Sequence, residues 1–592
     1  MLTRIKNLSE FGILTDISPQ ELPNNSFSAG ENIRFNNKAV EKFTGHSIVF
    51  GTPVIVPYWL LPVTTVSSSF WVYCGLSQVY VYDGTTHFPL TRIAATKNIS
   101  GITRSGTTAT ATSTAHGYSN SDVISISGAS QSDYNITAII SNVAANTFDY
   151  TVANSPVTPA TGTIIANKNT LYSAAAATSW NGGVIEGIPI INNGVNDPQM
   201  WSPIGTSQRL TSLTWDSGNT WLAKGHTCAV IRTYKDFLVA LDVTKSGNQN
   251  SRLVKWSTSG LPGAVPSTWD ETDATEDAGE VELAQTIGAC IDGETLGDLF
   301  VIYKEDSTWG MQYIGGDAIF RFYLLYGTLS ILTRRCVKQF EGKHFVLSQG
   351  DVMVHDGVSK PISIIDQRRR DELFNNIDSD NYTLCFVTPN YSNQEMWISY
   401  PESGKTACTK MMVWNWRENS WGSRDLPDAY DIAYGVLDDS NAITVWNDDT
   451  GFWNDDTEVW NQRTFNPSDK KMLMAATNLY LLNDTNQFDG TSFNSNIERT
   501  GLFFEDAETI KHVTAIWVRS VGTGILTITV GSQMNPGEAV TWKPGVTMSV
   551  GTERKINLRV TGRYIAYKIE SSGNDNWKIL GVAFDINSAG LR

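Results

Sequence analysis

Apolar and polar residues alternate along most of the chain, and apolar residues at helical spacing are scarce, so short half-buried strands are expected throughout. Val79-Tyr80-Val81-Tyr82 reads as a strand that runs into a turn at Asp83-Gly84, and Val352-Met353-Val354-His355 does the same at Asp356-Gly357. Their contexts match: Leu76-Ser77-Gln78 precedes the first, and Leu347-Ser348-Gln349 precedes the second with Gly350-Asp351 inserted. A looser copy ends in Phe488-Asp489-Gly490. Asp-Gly marks hairpins because Gly accepts positive φ and Asp bonds the local backbone. Further strand pairs are predicted over 228–242, 299–313, 335–347, 384–400 and 411–424. Weakly repeated four-strand units point to an all-β chain with an irregular β-propeller body, although stacked β-sandwiches would give a similar pattern.

Residues 96–166 differ from their surroundings. They are rich in Ser, Thr, Ala and Asn, carry little charge, and include Thr108-Ala109-Thr110-Ala111-Thr112 and Phe148-Asp149-Tyr150-Thr151-Val152. This stretch reads as a small inserted β-sandwich, of the kind a loop tip tolerates when its ends lie close together. One short helix is predicted over 367–374, capped by Asp366 and ended by Asn375-Asn376. A last β unit begins near Asn494, with strands over 514–520, 525–530, 555–560 and 564–570, and ends near Ile586. The expected organisation is N-terminal strands plus a first blade (1–95), the insert (96–166), the remaining propeller (167–492) and a C-terminal β domain (493–592).

Composition narrows the function. The 592 residues are 41% hydrophobic and 18% charged, which suits a folded chain of several units. The formal charge of −16 argues against a grip on nucleic-acid phosphate, but suits a surface past which nucleic acid slides. Six cysteines without a CxxC pair read as buried free thiols of a reducing compartment. The first residues are polar, and the apolar stretch 54–66 carries Pro57 and Pro62 and is short for a membrane span, so folding in the cytoplasm without membrane insertion is expected.

The search for chemistry is mostly negative: the chain has no GxSxG, no GxxxxGK and no HExxH. No catalytic, cofactor-binding or metal site is expected. His344, Asp351, His355 and Asp356 are the nearest approach to a cluster, and their place in a hairpin repeat favours a structural role. Trp446-Asn447-Asp448-Asp449-Thr450 recurs at Trp453-Asn454-Asp455-Asp456-Thr457, and Trp460-Asn461 begins a partial copy. These oxygens could bind calcium, but EF-hand spacing is absent, and Trp packing between blades is the plainer account. Asp270, Glu271, Asp273, Glu276, Asp277, Glu280 and Glu282 form an acidic stretch without a base. It is either a solvated loop or, in a symmetric ring, a negative wall facing a channel; paired carboxylates for sugar hydrolysis are a third reading. Arg334-Arg335, Arg368-Arg369-Arg370 and Lys470-Lys471 are the basic runs, and for the Arg triplet ion pairing is expected over phosphate contact.

Several separated motifs then resemble one family in their order. They begin with Gly12-Ile13-Leu14-Thr15-Asp16, Pro19-Gln20-Glu21-Leu22-Pro23, Glu31-Asn32-Ile33-Arg34-Phe35 and Glu41-Lys42. Phe237-Leu238-Val239-Ala240-Leu241, Val254-Lys255-Trp256-Ser257, Trp269-Asp270 with Ala278-Gly279, and Val301-Ile302-Tyr303-Lys304-Glu305 follow. Gly342-Lys343-His344-Phe345-Val346-Leu347 with Asp356-Gly357, and Glu395-Met396-Trp397 through Tyr400-Pro401 to Val413-Trp414-Asn415, complete the set. Together they resemble the tail nozzle proteins of short-tailed bacteriophages, also called tail tubular protein B or tail hub proteins. The resemblance implies a homo-hexameric ring in the virion tail, below the portal and adaptor and beside tail fibres or spikes. It also implies that the N-terminal strands and the C-terminal β domain contribute to a platform. Packaged double-stranded DNA would pass through its lumen without sequence-specific binding. The insert resembles small β modules common in phage virion proteins and departs from a minimal nozzle. A carbohydrate-binding or carbohydrate-degrading tail protein is the alternative, predicting aromatics and two carboxylates on an exposed cleft.

Overall fold

Seven four-stranded antiparallel units succeed one another in the computed structural model, six as separate sheets and one as the end of a ten-stranded sheet; the structure describes residues 2–65, 68–174, 180–205, 207–437, 470–504 and 506–590. Blade 1 comprises Trp59–Thr64, Ser69–Cys74, Val79–Tyr82 and His87–Pro89. Blade 2 comprises Asn181–Ile185, Ile188–Asn192, Gln199–Met200 and Thr211–Ser212. Blade 3 comprises His226–Tyr234, Phe237–Lys245, Asn248–Trp256 and Gly279–Glu282. Blade 4 comprises Cys290–Leu296, Leu299–Lys304, Thr308–Tyr313 and Phe320–Tyr326. Blade 5 comprises Val337–Phe340, Lys343–Leu347, Val352–His355 and Ile362–Ser363. Blade 6 comprises Phe386–Asn390, Glu395–Tyr400, Cys408–Asn415 and Ser420–Ala429. Blade 7 takes Asp431–Val436, Lys470–Ala475 and Leu479–Leu482 from late in the chain and its fourth strand, His46–Ile48, from the N-terminal region.

The first strands of these blades touch in cyclic order, the seventh returning to the first, so the sheets close into a β-propeller. The N-terminal strand in blade 7 ties the two ends of the ring together through backbone hydrogen bonds. First strands are sheet edges, which is why Pro62 and Pro389 fit there without costing a ladder bond. Cys228, Cys290, Cys336 and Cys385 stand at the heads of the first strands of blades 3 to 6, all buried. Small apolar side chains suit that position, where neighbouring sheets converge on the axis. The gaps between blades are also filled by large side chains such as Trp201, Trp221 and Trp269.

The Asp-Gly turns lie where the pattern places them. Gly84 has φ 100° and Gly357 φ 79°. Asp83 Oδ1 accepts from the N–H of Thr85 and Thr86, and Asp356 Oδ1 from those of Val358 and Ser359. The predicted helix needs correction: it runs Arg370–Asn376, and Asp366 does not cap it. Gln367 has φ 54°, which breaks the helix before it starts. A one-turn helix, Trp221–Lys224, was not foreseen; Thr220 caps it by accepting from Ala223 N–H, and Gly225 ends it at φ 65°.

Between blades 1 and 2 the chain leaves on Ile93–Ile99 and returns on Gly162–Asn169, which pair antiparallel. These strands join Val123–Ala129 and Thr137–Ile139 in one sheet; Gly101–Ser105, Thr108–Thr112 and Thr147–Thr151 form the other. The two enclose a core of Ile102, Tyr134, Phe148 and Tyr150, a small β-sandwich. A second β body gathers both ends of the chain. Its core joins Ile5, Leu8, Phe27 and Phe35 to Ile516, Ile528, Tyr567 and Phe584. One of its sheets continues directly from blade 6 through Ile33–Asn36 and Ala39–Lys42 to Trp577–Ser588, so the propeller and this second body share a sheet.

Candidate functional site

The acidic stretch spans the connection to the outermost strand of blade 3 and, with Glu280 and Glu282, that strand itself. Much of its charge is matched within the blade. Lys255 Nζ, fully buried, lies 2.5 Å from Glu271 and 3.2 Å from Glu280. Lys245 also reaches both, at 2.8 and 2.5 Å, and Arg252 meets Glu282 at 2.5 Å. These ammonium groups hold the Glu271 carboxyl down at about 2 against the opposing effect of burial. Asp270 and Asp273 accept from Thr272 and Thr275 in successive turns. Asp273, Glu276 and Asp277 are exposed. None of the seven acids lines the cavity on the propeller axis.

His344 and His355 face each other across neighbouring strands of blade 5, with Tyr303 Oη 2.8 Å from His344 Nδ1 and 2.6 Å from His355 Nε2. The proton order follows from the outer partners. His355 Nδ1 accepts from Gly357 N–H, so its Nε2–H donates to Tyr303; His344 Nε2–H donates to the Thr295 carbonyl, so its Nδ1 accepts from the tyrosine. The chain of donors is complete with both imidazoles neutral, and burial lowers both pKa values, that of His355 to about 3. Asp351 and Asp356 bond local turns and stand apart from this chain. Among the described residues no group of His, Cys, Asp and Glu is arranged to hold a metal ion. The Trp-Asn-Asp-Asp-Thr repeat lies outside the described residues.

The Arg triplet is spent on local contacts: Arg368 donates to Asn419 O, Arg369 to Glu372 and Gly422 O, and Arg370 to Gly350 O. Arg335 reaches across the propeller axis region to Asp431, 3.3 Å away, and Arg232 pairs with Asp292 at 2.7 Å.

The first strands of all seven blades enclose a cavity of about 540 Å³ on the axis. Polar side chains on blades 2, 4 and 7 each bond the next blade around the ring. Asn181 accepts from Ile231 N–H of the next blade, Asp292 from Arg335 N–H, and Asp431 from Leu60 N–H. Sequence reading missed this recurrence because the three acceptors sit in unlike local contexts. A second concavity, about 550 Å³, lies on the second β body and is lined by Arg4, Lys6, Arg519 and Arg554 together with Trp517 and Leu580. Trp517 and Leu580 are partly exposed, an arrangement typical of contact surfaces.

No family model and no curated protein matches the chain. Solved structures with some likeness include apo AztD from Citrobacter koseri, at 12% identity over 60% of this chain and 94% of that one. Hsv2p of Kluyveromyces lactis matches at 10% over 60% and 94%, and an exo-beta-1,3-galactanase from Phanerochaete chrysosporium at 9% over 69% and 95%. The TM-score is 0.24 in each case, so none of these likenesses bears on function. No helix among the described residues is long and apolar enough to cross a membrane.

Proposed function

We propose that this chain is a structural protein of a virus particle. It would be a ring-forming nozzle subunit that extends the DNA channel of a short-tailed phage below the portal and adaptor, and gates genome retention and release. One observation carries the reading: motifs that are far apart in sequence, and whose order resembles the nozzle family, meet at the joint between propeller and platform. Gly12 lies against Trp421, where a Cβ would come within 2.5 Å of the Trp421 nitrogen. Arg34 pairs with Glu395 at 3.4 Å, and Asn415 Nδ2 donates to Phe35 O at 3.1 Å. A propeller fixed to a platform by a shared sheet is a rigid two-part body suited to a head-to-tail ring. The excess of negative charge suits a lumen that DNA does not wet.

A carbohydrate-active reading draws on the axial cavity, where Tyr391, Tyr434, Glu294 and Asp431 all line the wall. Asp431 is already engaged by Arg335 and Leu60 N–H, which weakens it as a partner to Glu294 in hydrolysis.

Mass measurement of the purified full-length protein, alone and with the adaptor–portal complex of its phage, tests the proposal. Six copies, from the start or on that complex, support it. A lasting monomer or trimer that ignores the complex overturns it.

A further inference from the structure

The axial cavity contains an arginine edge without a partner. Arg335 is 7% exposed and lines the cavity. Its Nη1 donates to Tyr430 O at 3.1 Å and to Asp431 Oδ1 at 3.3 Å. Its Nε and Nη2 are buried without a hydrogen-bond partner. These two nitrogens share the edge of the guanidinium that binds two oxygens of one carboxylate or phosphate in parallel. A buried donor left unmade is costly, and a charged one more so. The surroundings favour an anion. Arg232, Arg335, Lys338 and Lys470 line the wall, four cations against three carboxylates: Asp292 pairs with Arg232 at 2.7 Å, Asp431 with Arg335 at 3.3 Å and Glu294 with Lys338 at 3.7 Å. A local excess of positive charge is unusual in a chain of net charge −16. The cavity's volume is ample for a small molecule.

We infer that the axial cavity binds a small oxyanion, a carboxylate or phosphate group, held bidentately by Arg335 Nε and Nη2 and flanked by Lys338. The site is independent of ring assembly and of the nozzle reading. Bound there, the anion ties blade 5 to the rest of the ring and stabilises the propeller.

Thermal unfolding of the full-length protein in rising inorganic phosphate, and separately in acetate, at constant ionic strength set with chloride, tests this. A saturable rise in unfolding temperature is expected with at least one of the two, since a ligand of the native state stabilises it by mass action. A response to phosphate alone or acetate alone identifies the headgroup. Arg335→Lys keeps a cation beside Asp431 but removes the fork, and should weaken binding about tenfold. No rise beyond that in chloride, or unchanged affinity in Arg335→Lys, overturns the proposal. If that variant does not fold, anomalous density from tungstate soaked into wild-type crystals decides: density against Arg335 Nε and Nη2 supports the site, and its absence there overturns it.

Discussion

Asn32 and Asp425 exchange two hydrogen bonds: Asn32 Nδ2 donates to Asp425 Oδ2 at 2.7 Å, and Asp425 N–H donates to Asn32 Oδ1 at 2.8 Å. Asn32 sits at φ 55°, in the left-handed region that Asn tolerates better than most residues. The pair pins the N-terminal platform segment to the last strand of blade 6. Asn32→Ala removes both bonds, together with a third from Asn32 Nδ2 to Asn494 O at 2.8 Å, and leaves in the left-handed region a residue that lacks the polar side chain by which Asn tolerates it. It should cost about 2–3 kcal/mol. Asn32→Gly relieves the backbone but not the lost bonds, and should fall between. Urea unfolding measures both; an Ala variant as stable as wild type would remove the joint from this account.

Asp431 closes the ring in a different way. One oxygen accepts from Leu60 N–H of blade 1 at 2.9 Å, and the other meets Arg335 of blade 5 at 3.3 Å. Removing one member of a buried pair leaves the other charge stranded. Asp431→Ala should therefore cost about 3–5 kcal/mol, and Asp431→Asn, which keeps an acceptor for Leu60, clearly less. Thermal unfolding of the two variants should rank them in that order; equal stability would mean that the aspartate does not hold the ring shut.

The strands and the Asp-Gly turns were legible because both are local: alternation sets the strand, and a residue that accepts positive φ sets the turn. The insert was legible from composition. The seventh blade was not, because His46–Ile48 pairs with Leu479–Leu482 from the far end of the propeller, and no local pattern announces such a partner. The acidic stretch read as one unpaired block for the same reason. Lys245, Lys255 and Arg252, which match it, lie on neighbouring strands of the sheet. At the axis, Asn181, Asp292 and Asp431 share a role that only closure of the ring reveals.

The glycine of the blade 5 turn is required by conformation. Gly357 has φ 79°, and a Cβ there would come within 3.1 Å of Leu296 Cδ2. Gly357→Val adds backbone strain and crowding, and should cost about 1–3 kcal/mol. A lowered unfolding midpoint by calorimetry is the expected result. Unchanged stability would count against the turn geometry.

All six cysteines are buried and free. Burial pushes the Cys290 and Cys336 thiols up to about 12, far from the thiolate that reacts. A chromogenic disulfide reagent should therefore find no fast-reacting thiol in the native protein and six after denaturation. A fast-reacting native thiol would mean that one of the blade gaps opens in solution.

Three of the four buried histidines, His46, His344 and His355, shape the response to mild acid. Burial, aided by the Arg424 guanidinium, lowers His46 to about 3; burial, aided by His344, does the same to His355; and burial lowers His344. Arg424 Nη2 donates to His46 Nδ1 at 3.1 Å, which also requires the neutral ring. In the unfolded chain these groups titrate near 6.5. Below that pH the unfolded state takes up protons that the folded state refuses, so stability falls as pH drops from about 6.5 towards 3. Each histidine contributes a slope of up to about 1.4 kcal/mol per pH unit. The upper part of this window, between about pH 6.5 and 5, lies above the range where ordinary carboxylates titrate. There His226, which burial also lowers, adds to the slope, and the buried Asp242, Glu395 and Asp431 and the half-buried Glu498, which burial raises, oppose it. Unfolding free energy measured against pH should decline across that interval, and less steeply in His46→Gln, which keeps a polar partner for Arg424 and cannot titrate. Stability independent of pH between 6.5 and 5 would show that the three rings do not refuse protons within the fold.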